Sequence, residues 1–291
     1  MPDHIPNNIL FYIIFLSQII LISYYYPKQI ITRINTVVGK FPPADYPKLY
    51  PVSLDKINNG KKIYWLINLV ILTIGLALMF VYGKLSGEYA PNQKHAEGLP
   101  LMYGMIQFIP FLLLEISGFK QFKLMRASDA RTSRKAELSP RKLFDYISPL
   151  ALGFTVVLIF SYILFALYMN DFIWSSEIII KIIALALSNI LFICLTYWHL
   201  SGKKLDPYQA NKDRIKQIRF SIRSMVFVSA FMSIFMLVTS LIEVYQLAHL
   251  EIIINSLYFQ VIAFYGVGAM LKTMSIENID FEVYKKDISI Q

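Results

Sequence analysis

Three ionisable side chains lie inside long apolar runs of this sequence, where a charge is costly and therefore points to a function. They are Glu115, Lys181 and Glu243. Lys181 follows Glu177 by one helical turn, which predicts that these two side chains pair on one face of a helix. Glu115 has no such neighbour. Of the three, it is our candidate for a functional group, lining a cavity or binding a basic partner from residues 120–142.

Five neutral polar side chains occupy the middle of five different apolar runs. They are Gln18, Asn68, Gln107, Asn189 and Gln260. Pro110 kinks the run that contains Gln107 and Glu115, because proline removes a backbone amide. Helical spacing predicts that Gln107, Glu115 and Gly118 share one inward face. If the five groups converge, they line a small polar cavity for an uncharged or zwitterionic ligand. If they do not, they form hydrogen bonds between helices, worth about 0.6–2 kcal/mol each.

The sequence carries no signature of catalysis, so we assign no catalytic residue. It has no His-Glu-x-x-His, no Gly-x-Ser-x-Gly and no Walker loop. The four histidines are scattered, and Cys194 is the only cysteine, so neither a metal site nor a cofactor is predicted. Asp129 and Asp145 are too isolated to favour a lipid-modifying enzyme.

The elements that must position these groups are seven runs of membrane-spanning length. A helix crosses the membrane with about 20 mostly apolar residues, and only helices satisfy their own backbone there. The runs cover residues 9–26, 63–82, 99–119, 149–169, 178–199, 224–245 and 252–271. The sequence therefore predicts an all-α integral membrane protein with seven transmembrane helices. We expect residues 1–291 to form a single polytopic membrane domain, in which 272–291 are a cytoplasmic tail.

The distribution of positive charge predicts the orientation. Of the 28 lysines and arginines, 25 lie in alternate gaps between the runs or in the C-terminal tail. By the positive-inside rule these segments are cytoplasmic, so the N-terminus lies outside. The first run lacks a basic region before it and is predicted to remain as an anchor. We expect a plasma membrane, most simply a bacterial inner membrane. This pattern already accounts for the net charge of +9, so nucleic-acid binding is not predicted.

Three of the predicted cytoplasmic segments have distinctive compositions. Residues 41–51 hold four prolines and three aromatic residues, which predicts a stiff, extended element that packs against the chain itself or binds a partner. Residues 141–149 predict a short interfacial helix, and residues 211–223 a basic amphipathic helix with Ile215, Ile218 and Ile222 on one face. The basic residues of the last two segments are candidates to bind anionic lipids. They are Arg141, Lys142, Arg214, Lys216, Arg219 and Arg223.

A Leu-x-Pro sequence precedes each of three helical pairs, ending at Pro51, Pro140 and Pro207. This spacing indicates one anchor helix followed by a helical hairpin repeated three times about an axis along the membrane normal. Chance matches in a leucine-rich chain are the alternative.

Three classes of function remain open. One is a non-enzymatic sensor, scaffold or assembly subunit that uses a basic, proline-rich cytoplasmic face. It would bind a membrane or cytoplasmic protein or a second copy of the chain. The alternative is a channel or transporter for a small uncharged or zwitterionic solute. The third is a lipid-modifying membrane enzyme. The first is our leading hypothesis, because glycine is too scarce for the broken helices of ion-coupled carriers.

Overall fold

The computed structural model describes residues 7–88, 99–129, 131, 141–202 and 204–286, and within these residues every regular element is a helix. The α-helices are Asn7–Ile20, Tyr26–Lys40, Leu54–Glu88, Leu99–Ala127, Pro149–Tyr168, Ser176–Ser201, Asn211–Val244, Ala248–Ala263 and Ala269–Thr273. Short 3₁₀ turns occur at Pro47–Leu49, Leu143–Asp145, Ile276–Asn278 and Glu282–Tyr284. Two π-helical turns, Leu21–Tyr25 and Phe264–Gly268, join the first two and the last two α-helices into continuous rods.

Seven helical segments in the described residues are long and apolar enough to cross a membrane. In chain order, spans 1 to 7 are Ile9–Lys40, Leu54–Val81, Leu99–Ala127, Pro149–Tyr168, Ser176–Ser201, Asn211–Val244 and Leu250–Thr273. All seven predicted runs are confirmed as helices. Several spans extend well beyond the apolar run, as span 6 does in beginning at Asn211. Hydropathy measures only the part of a helix that hydrocarbon surrounds, whereas good helix formers continue it into the polar region.

Large apolar side chains cover the outside of these helices. Leu66 and Phe160 are each 60% exposed, and Ile193 is 67% exposed. A water-soluble chain rarely exposes so many large apolar groups together, whereas hydrocarbon solvates them. The chain therefore has the architecture of a multi-pass membrane protein.

The residues group into two compact units. Unit 1 comprises Met1–Arg134, Lys204–Asp213 and Asn255–Gln291, and unit 2 comprises Lys135–Lys203 and Arg214–Ile254. The single membrane domain predicted from the sequence stays a prediction. So does the threefold repeat, because Pro140 lies outside the described residues.

Unit 1 is held together by aromatic rings that pack on spans 1, 2, 3 and 7. Its apolar core contains Ile22, Tyr26, Tyr64, Phe259 and Val267. Glycine permits two of the closest approaches. A Cβ atom at Gly75 would lie 2.2 Å from the Tyr103 hydroxyl, and one at Gly268 would lie 2.7 Å from the Tyr26 hydroxyl. Neither position can accept a larger residue unless a tyrosine moves.

Unit 2 has a smaller core formed by spans 4, 5 and 6. Tyr162, Ala166 and Leu185 are buried together there. A second cluster at the other end of these spans buries Tyr146 and Ile147 against Ile218 and Ile222. The amphipathic helix predicted for residues 211–223 is confirmed, since its isoleucines pack on this cluster.

The segment at residues 141–149 is not the interfacial helix that the sequence predicted. It forms only a 3₁₀ turn, Leu143–Asp145, and buries Tyr146. The reason lies at the start of span 4, where Pro149 occupies the first turn and the Ser148 hydroxyl accepts the Ala151 amide at 3.2 Å. A residue before proline avoids the helical region, so a helix cannot continue through Ser148.

The proline-rich segment at residues 41–51 is turned rather than extended, so that part of its prediction is wrong. The Asp45 amide donates to the Pro42 carbonyl at 3.1 Å, and Pro47–Leu49 form a 3₁₀ turn. A proline φ near −65° suits a turn as well as an extended chain. The prediction that the segment packs against the chain itself is confirmed. Phe41 stacks on Phe281 with ring centroids 4.1 Å apart.

Candidate functional site

Two of the predicted polar residues, Gln18 and Gln107, meet in the interior of unit 1. Gln18 is fully buried and Gln107 is 1% exposed. The Gln18 Nε2 donates to the Gln107 Oε1 at 2.8 Å, and the Gln107 Nε2 donates to the Ser23 hydroxyl oxygen at 2.9 Å. Spans 1 and 3 are therefore joined by a chain of hydrogen bonds with no charged member. Each bond is worth about 0.6–1.7 kcal/mol in such an environment.

The regular backbone hydrogen bonding of both helices is altered close to this hydrogen-bond chain. Ser23 lies in the π-helical turn Leu21–Tyr25, and the buried Pro110 interrupts the hydrogen bonding of span 3 just after Gln107. Single π turns are frequent at functional positions of helices. Sequence reasoning missed Ser23, because a π turn leaves no signal in hydropathy or spacing.

Gln260 joins spans 1 and 7 of the same unit. Its Nε2 donates to the Ile14 carbonyl at 3.0 Å, and its Oε1 lies 3.1 Å from the Ser17 hydroxyl. The buried Ser256 donates to the same Ile14 carbonyl at 3.3 Å. Gln260 therefore acts as a bridge between helices, with one donor and one acceptor satisfied.

Asn68 is also buried in unit 1, but its side chain serves its own helix. The Asn68 Nδ2 donates to the Tyr64 carbonyl at 2.7 Å, one turn earlier in span 2. Its Oδ1 and the Gln18 Oε1 are buried, and neither accepts a hydrogen bond of good geometry from the residues that the structure describes.

Asn189 belongs to unit 2, where it joins spans 5 and 6. Its Oδ1 accepts the Ser229 hydroxyl, and its Nδ2 donates to the Leu185 carbonyl at 2.9 Å. The small residues Ser229 and Ser233 are both buried there. The five polar candidates thus form separate hydrogen-bonded sets. In unit 1, Gln18 bonds to Gln107 and Gln260 bonds to Ser17, whereas Asn68 bonds within its own helix. In unit 2, Asn189 bonds to Ser229.

Replacing Gln107 tests what the buried hydrogen-bond chain contributes. A Gln107→Met variant keeps the side-chain volume but removes the hydrogen bonds that Gln107 makes with the Gln18 amide and the Ser23 hydroxyl. We expect a loss of about 1–2 kcal/mol in the free energy of unfolding. An Asn68→Leu variant should lose less than 1 kcal/mol, because it removes only a bond within one helix. Unfolding in mixed micelles measures both. Equal losses would show that the hydrogen bonds from Gln18 to Ser23 contribute no more to the free energy of unfolding than the bond within span 2 does.

Glu115 does not share the buried face of Gln107. Its side chain is exposed, whereas Gln107 is buried and Gly118 is half-buried. Eight residues in an α-helix rotate the direction of the side chain by about 80°, which carries Glu115 out of the interior. The expectation of a shared inward face was therefore wrong. The apolar side chains next to Glu115 are exposed too: Leu112 by 61% and Ile116 by 45%.

The other two ionisable candidates pair with each other in unit 2. The Lys181 Nζ lies 2.8 Å from a Glu177 carboxylate oxygen and 3.1 Å from one of Glu243. The predicted pairing of Lys181 with Glu177 is confirmed, and Glu243 of span 6 joins the same cation. This ion-pair cluster holds the ends of spans 5 and 6 together.

Three of the six predicted lipid-binding residues bind the chain's own backbone in unit 2. The guanidinium groups of Arg141, Arg214 and Arg223 donate to the carbonyls of Leu200, Gly202 and Tyr146, at 3.3, 2.9 and 3.1 Å. The first two of these carbonyls lie at the C-terminal end of span 5, which attracts cations. Lys142 and Arg219 are exposed and Lys216 is half-buried. Lipid binding by these residues stays a prediction.

An aromatic cluster at the basic end of unit 1 was not predicted from the sequence. We call it the aromatic cap, and it consists of Tyr46, Met125, Tyr208, Phe281 and Tyr284. It joins the proline-rich segment, the end of span 3, the 204–208 loop and the C-terminal segment. The Arg131 Cζ lies 4.6 Å from the centre of the Tyr208 ring, and the Lys285 Nζ lies 5.7 Å from the centre of the Tyr46 ring.

The buried Asp206 carboxylate anchors this cap. Its Oδ1 accepts the backbone amides of Tyr208 at 2.9 Å and Gln209 at 3.3 Å, and its Oδ2 accepts the Tyr284 hydroxyl. Burial raises the pKa of Tyr284 well above its usual value, and the Asp206 carboxylate raises it further. Tyr284 therefore stays a neutral donor, and Asp206 fixes the C-terminal segment to the 204–208 loop.

Comparisons of this chain with protein-family models, with curated proteins and with solved structures gave no match.

Proposed function

We propose that this chain is a non-enzymatic membrane protein that assembles with another membrane protein, as a scaffold, sensor or assembly subunit. The observation that carries the proposal is Glu115, an exposed carboxylate within span 3. It lies about 7.5 Å along the helix axis before Lys120, the first basic residue of this helix. A charge exposed to hydrocarbon costs about 3 kcal/mol at the centre of the membrane and less toward a helix end, and a donor or cation on a neighbouring helix removes that cost.

The hydrogen bonds between helices also favour assembly over solute transport. A solute pathway needs polar groups that are free to exchange partners with the solute. Gln18, Gln107 and Gln260 instead hydrogen-bond to one another's helices in unit 1, and Asn189 does so in unit 2. These contacts match the static hydrogen bonds that hold helix bundles together.

The aromatic cap supports the same role by offering a folded surface next to the membrane. The proline-rich segment is bound within it and exposes only part of its surface, including Asp45 and Pro47. Lysine and arginine are in excess in this part of the chain, and such an excess is typical of cytoplasmic segments. We therefore propose that the cap faces the cytoplasm of a plasma membrane. In that orientation the N-terminus lies outside and a cytoplasmic protein can reach the cap.

Site-specific crosslinking in native membranes tests the proposal. A photoreactive amino acid at Leu112, on the Glu115 side of span 3, should form an adduct with one other polypeptide. The same amino acid at Met102, which lies about 140° around the helix from Glu115, should react mainly with lipid. We expect Glu115→Gln to lower the adduct yield about three- to tenfold, and Glu115→Asp to lower it less.

Two results would contradict this role. The first is lipid adducts alone at both positions. The second is a protein adduct at Leu112 that Glu115→Gln leaves unchanged, because Glu115 would then be only an interfacial residue. If Glu115→Gln instead abolished solute flux in vesicles without changing the adduct, the transport hypothesis would replace ours.

A further inference from the structure

A groove runs between spans 1 and 2 at the basic end of unit 1, apart from every site described above. It has a volume of about 530 Å³. Three lysines line it: Lys28 from span 1, and Lys61 and Lys62 from span 2. Tyr24 and Trp65 line it as well, with ring centroids 5.7 Å apart.

The lining residues follow the same order along both helices. On span 1, Tyr24 lies within the apolar run and is followed by Lys28 and then by Thr32. Span 2 runs the other way, and Trp65 is preceded by Lys62 and Lys61 and then by Asn58. One end of the groove is therefore aromatic, the middle is cationic and the other end is neutral and polar. Aromatic residues mark the boundary between hydrocarbon and headgroups, so the ammonium groups lie at headgroup level.

The positive charge of this groove is not neutralised within the described part of the chain. The Lys28 Nζ lies 5.6 Å from the centre of the Tyr24 ring, and the Lys61 Nζ donates to the neutral Asn35 Oδ1 at 2.6 Å. Lys62 is exposed. Three cations in one groove repel one another unless an anion lies between them, so the site favours an anionic ligand.

We propose that this groove binds the phosphate group of an anionic phospholipid. The three ammonium groups surround the phosphate, and the acyl chains leave past Tyr24 and Trp65 into the hydrocarbon. A soluble phosphate would use the cations but would gain nothing from the aromatic end. The aromatic end and its position at the membrane boundary are what favour a lipid. This site differs from the six basic residues predicted from the sequence and goes beyond the proposed assembly role.

Native mass spectrometry of the full chain tests this site, with phosphatidylglycerol and phosphatidylcholine added to detergent micelles. We expect Lys28→Gln/Lys62→Gln to bind phosphatidylglycerol about 30-fold more weakly, since each lysine near a headgroup contributes about fivefold. Lys120→Gln/Lys123→Gln removes the same charge from exposed positions of span 3 and should change binding less than threefold. Lys28→Arg/Lys62→Arg should restore it. Phosphatidylcholine should bind weakly to every variant.

Two outcomes would overturn the proposal. An equal loss in the Lys28/Lys62 and Lys120/Lys123 variants would mean that the lipid responds only to the net charge. The other outcome is a rise in the thermal stability of the lipid-free protein when millimolar inorganic phosphate is added, provided that Lys28→Gln/Lys62→Gln abolishes this rise. The ligand of the groove would then be a soluble phosphate. Thermal unfolding of each variant without lipid confirms that the fold is intact and keeps the comparison valid.

Discussion

An Asp206→Ala variant is expected to lose about 4 kcal/mol of stability in the aromatic cap, because three hydrogen bonds end on one buried carboxylate. The substitution leaves the Tyr284 hydroxyl and the amides of Tyr208 and Gln209 without their acceptor. Each buried donor that loses its partner costs about 1–3 kcal/mol. The seven spans should remain folded, since the cap lies beyond their apolar segments. The C-terminal segment should detach from unit 1.

Limited proteolysis with trypsin measures this detachment at Lys285 and Lys286, which lie in the C-terminal segment. Cleavage that needs local opening should become faster by about three orders of magnitude if opening costs 4 kcal/mol less. Asp45→Ala is the matched control, since Asp45 is exposed and contacts the C-terminal segment through its backbone carbonyl. It should leave the cleavage rate within about threefold of the parent. Equal rates for Asp206→Ala and the parent would show that ring packing alone holds the cap.

The spans could be predicted because each one is a local property of the sequence. A run such as residues 63–82 satisfies its own backbone and needs hydrocarbon around it, whatever its neighbours do. The same holds for the pair Glu177–Lys181, whose spacing lies within one helix. Exact ends were not predictable from hydropathy, because the helix of span 1 continues to Lys40 past its apolar residues.

The partners of the polar side chains were not predictable, because they depend on how helices far apart in the sequence pack. In the sequence, Gln18, Gln107 and Asn68 are alike, since each is a polar residue in the middle of an apolar run. Packing joins Gln18 to Gln107, whereas Asn68 bonds to Tyr64 of its own helix. The outward direction of Glu115 follows from helix geometry and could have been computed. The aromatic cap needs four segments that meet in space. Its only sequence signal is the aromatic content of residues 41–50 and 281–284.

The second large effect is expected from a single methyl group at Gly104, where span 3 touches span 7. A Cβ atom there would lie 2.3 Å from Phe259 Cδ2 and 2.5 Å from Cγ. Cγ is close to the backbone, so the ring cannot rotate away and span 7 must shift. Phe259 belongs to the apolar core of unit 1, with Tyr26 and Tyr64. Overpacking of this kind costs about 1–3 kcal/mol, and we expect the upper end of that range for Gly104→Ala.

Gly118→Ala provides the matched comparison on the same helix, because a Cβ atom at Gly118 meets nothing within 4 Å. Alanine is a better helix former than glycine by about 1 kcal/mol, so Gly118→Ala should be neutral or stabilising by up to that amount. The two variants make the same chemical change and should differ by about 3 kcal/mol in unfolding free energy, measured by reversible unfolding in mixed micelles. If both variants raised stability alike, span 7 would not pack on Gly104. The packing described here for the core of spans 1, 2, 3 and 7 would then be wrong. The positions of Gln18 and Gln107 within it would be wrong as well.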